Sequence, residues 1–98
     1  MMLPENADRL TERLRDSDVP NHLHDGLMRY FAQGILPGSF LQAVLTGSWE
    51  RAILRADSFS LRGLPALVRF LQMECPAEAW GSRARVAAWT TTPSRLEP

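Results

Sequence analysis

Ninety-eight residues at 11.0 kDa suit one domain, because a chain this short buries only about two-thirds of its unfolded surface in a single core, and a two-domain enzyme is excluded. Hydrophobic residues at 45% and charged residues at 22% match a globular composition and exclude general disorder. Eleven basic residues, all arginine, balance eleven acidic ones, which argues against a protein that neutralises nucleic-acid phosphates over its whole surface and leaves open only a local basic patch.

Periodicity predicts an all-α domain of six short helices over residues 1–90, followed by a tail from Thr91 to Pro98 too poor in apolar residues to pack. Leu3, Ala7, Leu10 and Leu14 form the apolar stripe of the first helix, with Glu5, Asp8, Arg9, Glu12 and Arg15 opposite. The Glu5–Arg9 pair adds only about 0.2–0.5 kcal/mol, so the stripe must hold this helix down. Asp16, Ser17, Asp18 and the Val19–Pro20 step end it. The second helix starts near Pro20 or Asn21, carries Leu23, Leu27, Tyr30 and Phe31 on its apolar face, and stops at Gly34.

Ser39 is the expected N-cap of a third helix, Phe40 to Leu45, which is apolar all round except for Gln42 and therefore belongs in the centre. Gly47 ends it and Ser48 caps the fourth, where Trp49, Ala52, Ile53 and Ala56 repeat as a core-facing stripe while Glu50, Arg51 and Arg55 face away. Asp57 to Ser60 reads as a connection. Leu64, Leu67, Val68 and Leu71 mark the fifth helix, with Pro65 in its first turn and Pro76 beyond its end. A link bearing Trp80 leads to a sixth helix, capped by Ser82 and running to about Thr90. No long run alternates β-branched with polar residues, so no strand is expected.

His22 and His24 are the residues that suggest a metal, but positions i and i+2 of a helix point about 200° apart and cannot share an ion. Neither a metal nor a cofactor is expected. Cys75, at the negative end of a helix dipole, beside Glu74 and three residues before Glu78, is read as a structural thiol, because all three oppose thiolate formation. Carboxylates in an apolar context are limited to Asp57 and Glu74, and no phosphate-cradling loop or nucleophile elbow is present, so an enzyme is not expected. The turn Gly34 to Phe40 fits the link of a helix-turn-helix motif. The following helix, however, offers only Ser39, Gln42 and Thr46 as polar contacts, and Tyr30 is bulky where close helix packing wants a small residue.

Charge is unevenly spread. Six of the eleven acidic residues precede Gly26, while residues 51 to 85 carry six arginines against Asp57, Glu74 and Glu78. Arg51 with Arg55, and Arg62 with Arg69, are spaced to line one exposed face. Trp49 and Trp89 are assigned to the core, and Trp80, in a Gly-Ser-flanked link, to partial exposure or to a lid over the core. Interfaces concentrate their energy in Trp, Tyr and Arg, so Arg51, Arg55, Arg62, Arg69 and Trp80 are the candidate contact residues. The acidic first helix, with Glu5, Asp8 and Glu12, is the alternative surface.

Residues RYFAQGILPGSFLQAVL (Arg29 to Leu45), Arg55-Ala56-Asp57, LPALVRFL (Leu64 to Leu71), Trp80-Gly81-Ser82 and Ala88-Trp89 resemble a family of small phage and prophage proteins without an assigned activity, over residues 27 to 89. Thr46-Gly47-Ser48 and Ala79 depart from that pattern, which usually has an Asn-Asp-type turn and a Cys there. The resemblance implies a phage-type origin and no mechanism; a non-enzymatic, protein-binding role against a host protein complex is the expectation by analogy with other phage proteins of this size, anti-CRISPR proteins among them. The rival expectation is a small nucleic-acid-associated protein using the arginines of the second half. With one cysteine, no basic-then-apolar start and no run near the roughly 18 apolar residues of a membrane span, a cytoplasmic protein free of the membrane is expected.

Overall fold

Apolar spacing at three and four residues becomes a stack of short helices in the computed structural model, which describes residues 4–91, with side chains from residue 8 onward. Leu3, the side chains of Glu5 and Ala7 with the Glu5–Arg9 pair, and residues 92–98 of the expected tail lie outside the described residues. The helices are α1 (Pro4–Arg15), α2 (His24–Gln33), α3 (Ser39–Leu45), α4 (Trp49–Arg55), α5 (Ser58–Arg62), α6 (Leu64–Glu74) and α7 (Arg83–Thr91), with 3-10 turns at Asn21–Leu23 and Ala77–Ala79. None of the described residues is in a strand, and no helix among them is long and apolar enough to cross a membrane. The Cα radius of gyration, 12.5 Å, is that of a close-packed chain of this length.

The helix beyond the six expected is α5, which occupies the end of the stretch expected to be a connection. Asp57 caps it: its side chain accepts from the Ser60 N–H at 2.7 Å, so a polar run too short for an apolar stripe still closes one turn. Two other caps differ from expectation. Gly38, not Ser39, is the N-cap of α3, and Ser48 holds the N-cap position of α4 without capping it, its hydroxyl lying 3.0 Å from that of Thr46. Ser82 does cap α7, accepting from the Arg85 N–H at 3.1 Å.

α3 is central. Phe40, Leu41, Ala43, Val44 and Leu45 are all buried, and Gln42 spends its amide on the Pro37 carbonyl at 2.7 Å. Around them sit Leu10 and Leu14 of α1, Leu27, Tyr30 and Phe31 of α2, and Leu67 and Leu71 of α6. The turn into α4 is a Schellman motif: Ser48 N–H donates to the Ala43 carbonyl at 2.8 Å and Gly47 N–H to that of Val44 at 3.1 Å, with Gly47 at φ +76°. Gly81 N–H reaches the Leu45 carbonyl at 2.7 Å, docking the Trp80–Ser82 link on this turn.

Tyr30 ties the C-terminal elements to α2. Its hydroxyl donates to the buried Ala79 carbonyl, and its own carbonyl accepts both the Gly34 N–H and Trp89 Nε1–H at 2.9 Å each. Phe31 stands edge-on between the rings of Tyr30 and Trp89.

The segment after α1 is held from both sides. His24 Nε2–H donates to the Val19 carbonyl at 2.8 Å, and His22 Nε2 lies 2.9 Å from Ser60 Oγ. The histidines are thus structural ties, His22 from the 3-10 turn to α5 and His24 from the start of α2 to the segment after α1. Gly63, between α5 and α6, lies directly under the Pro20 ring, where an added Cβ would overlap ring carbons that cannot rotate away. Gly63→Ala is therefore expected to lower stability by about 1–3 kcal/mol, read as a lower urea midpoint with an unchanged slope.

Candidate functional site

The fourth helix departs most from its expected packing. Only Ala52 of α4 is fully buried, because the helix lies on α3 through that methyl, and the remaining apolar side chains project outward: Trp49 is 42% exposed, Ile53 52% and Leu54 76%. Trp49 and Ile53, expected in the core, are on the surface. Phe59 of α5 is also exposed. Trp49 and Leu54 line a shallow depression together with Glu50, Arg51 and Arg55.

The two arginines also line the neighbouring groove, of about 460 Å³, between α3, α4 and α7. Its polar edge is Arg51, Arg55 and Arg83 with Ser39, Gln42, Thr46 and Thr90, and its apolar lining is Leu36, Ala43, Val86 and Ala87. Arg83 was not singled out from the sequence; its approach to α4 is set by the docking of α7, a contact between residues more than 25 positions apart.

The other candidates are elsewhere. Arg69 of α6 lies in a cleft with Arg13, Asp16, Asp18 and Glu74, where carboxylates offset its charge. Arg13 Nε and Glu74 Oε1, 3.9 Å apart and partly exposed, make a weak ion pair joining α1 to α6. Arg62 is exposed at the end of α5. Trp80 is half-buried against the core, and its indole N–H is buried with no partner among the described residues. It lines a cleft with Cys75 and Arg85, away from the α3–α4–α7 groove. Of the alternative acidic surface, Asp8 and Glu12 are exposed on α1.

His22, Asp57 and Ser60 meet, and these residue types are those of a nucleophilic triad. The arrangement is different in kind. Asp57 Oδ2, at 3.8 Å, and Ser60 Oγ, at 2.9 Å, approach the same ring nitrogen, so the carboxylate does not orient the imidazole from its far side, and Ser60 is buried. The cluster is a helix cap with a histidine tether. The Ser60 backbone N–H, then its hydroxyl, then His22 hold the Asp57 carboxyl below its usual pKa against a smaller opposing effect of desolvation. A depressed folded-state pKa contributes stability above the ordinary carboxylate range, and that contribution is lost as pH falls through the folded value. Asp57→Ala is therefore expected to lower the Tm by a few degrees at neutral pH and by less in acid, while Asp57→Asn, which still accepts the Ser60 N–H, should keep most of the stability and lose its pH dependence.

Burial, reinforced by Glu74, pushes the Cys75 thiol well above its ordinary pKa, as expected of a structural rather than a reactive thiol. Among the described residues no three His, Cys, Asp or Glu side chains form a metal-binding group. Comparison of the chain with protein-family models, with curated proteins and with solved structures yields no match.

Proposed function

We propose that this chain is a non-enzymatic protein-binding module of the phage type, which modulates a host protein complex through α4 and the surface around it. The observation that carries the reading is the exposure of Trp49, Ile53 and Leu54 on a seven-residue helix that also presents Arg51 and Arg55. One exposed apolar residue is ordinary, but three on two turns of helix offer apolar surface whose desolvation favours association. Trp and Arg are also the residues in which interfaces concentrate their energy. The resemblance of residues 27 to 89 to small phage proteins supports the origin, and blocking a host assembly, as anti-CRISPR proteins do, is the corresponding mode of action.

Capture of a partner from bacterial lysate, identified by mass spectrometry and then titrated as a purified protein, tests the reading. Arg51→Glu combined with Arg55→Glu is expected to weaken binding about tenfold, or ~1.4 kcal/mol, with little change in Tm, since exposed charges contribute little to folding. Affinity left intact by that variant but abolished by Asp8→Lys with Glu12→Lys would transfer the working surface to α1.

A second reading draws on the same groove: Arg51, Arg55 and Arg83 together favour nucleic acid. It requires binding that falls steeply with salt, and no binding of DNA or RNA at low salt removes it.

A further inference from the structure

We infer that the groove between α3, α4 and α7 receives the acidic side chains of a segment of the protein partner, with Arg51, Arg55 and Arg83 as its carboxylate-binding set. This rests on the protein-binding reading and adds the chemistry of what is bound.

Charge is the first argument. Three guanidinium groups, two from α4 at i and i+4 and one from the first residue of α7, line a space of about 460 Å³ in which no lining residue is acidic. None of the three forms an ion pair with a described carboxylate, whereas Arg69 shares its cleft with Asp16, Asp18 and Glu74, and Arg13 pairs with Glu74. The molecule as a whole has no net charge, so this local excess of positive charge is not a by-product of a basic protein. A carboxylate entering the groove relieves the mutual repulsion of the arginines and meets planar forks suited to bidentate pairing.

The lining distinguishes among anions. Leu36, half exposed, with Ala43, Val86 and Ala87 gives the groove an apolar wall, and outside the groove Trp49 and Leu54 add apolar surface in the adjoining depression, where Glu50 is the one acidic residue. Such a surface matches a peptide in which acidic side chains alternate with aliphatic ones. It is poorly matched to a sugar-phosphate backbone, whose affinity grows with the number of phosphates neutralised, and only three arginines are gathered here.

The test selects a randomised twelve-residue peptide library on the folded full chain, then measures the enriched peptides by fluorescence anisotropy. The expected result is enrichment in Asp and Glu with intervening Leu, Ile or Val. The enriched peptide should bind at least about tenfold more weakly to Arg51→Gln/Arg55→Gln/Arg83→Gln, after circular dichroism has confirmed the fold, and to Arg83→Gln alone by a smaller factor. Replacing its Glu with Gln should weaken binding to the wild type by a similar factor. Neutral or basic peptides that need Trp49 and Leu54 but not the arginines would overturn the groove assignment and leave the protein-binding face standing. No enriched peptide would overturn both. A single-stranded twelve-nucleotide DNA that displaces the peptide at lower concentration would also overturn the assignment, in favour of nucleic acid.

Discussion

Val44→Asp is expected to abolish cooperative folding, so that thermal denaturation followed by circular dichroism shows no transition where the wild type shows one. Val44 has no exposed surface and sits on α3, five of whose seven residues are buried in the hydrophobic core. A carboxylate there loses its hydration inside a core whose buried members are hydrophobic. Burying an unpaired polar or charged group costs several kcal/mol, a large part of the about 5–15 kcal/mol by which small domains are stable. A soluble Val44→Asp protein melting like the wild type would show that α3 is not the organising helix.

Trp89→Ala is expected to cost about 3–5 kcal/mol, the range for deleting a large aromatic from a core, and for a domain of this size that lowers the Tm by some 15 °C or more. Trp89 is 4% exposed, packs its ring edgewise on Phe31, and donates its Nε1–H to the Tyr30 carbonyl at 2.9 Å. Its loss detaches α7 from α2 and opens a cavity at the aromatic cluster. Trp89→Phe restores part of the packing but not the N–H, so its Tm should fall between those of Trp89→Ala and the wild type. Intrinsic fluorescence offers an independent check: Trp89→Phe should lose the most blue-shifted component of the emission, so that the maximum moves to the red, towards the emission of half-buried Trp80 and exposed Trp49. Equal Tm values for Trp89→Ala and the wild type would mean that α7 is not held through this side chain.

Helix positions and the central element were legible where a single element carried the information. The all-apolar run Phe40 to Leu45 can satisfy itself only in the interior, and α3 is buried as that pattern demands. Gly34 at φ +71° closes α2, and Pro65 lies in the first turn of α6, because both effects are local to the backbone. α5 was missed because its helical state depends on one capping contact, Asp57 to Ser60, rather than on an apolar stripe.

The candidate surface was only partly legible. Arg51 and Arg55 share a face by helical spacing alone, whereas their grouping with Arg83, the neutralising surroundings of Arg69 and the distance of Trp80 from the groove follow from how α6 and α7 dock. Trp49 and Ile53 show the limit most plainly. Their spacing with Ala52 and Ala56 is that of a core stripe, but a stripe states only which residues share a face. How much of that face is covered depends on the neighbouring helix.

The amino-acid sequence by itself determined the all-α class, the central α3, the Gly and Pro boundaries and the uneven distribution of charge, because hydrophobic periodicity, backbone restriction and charge are properties of residues close together in the chain. The tertiary structure alone decided that α4 rests on Ala52 and turns Trp49, Ile53 and Leu54 outward, and that Arg83 joins Arg51 and Arg55 at one groove. Those outcomes depend on the approach of helices distant in sequence, where the size of a single contacting side chain sets which residues water can still reach.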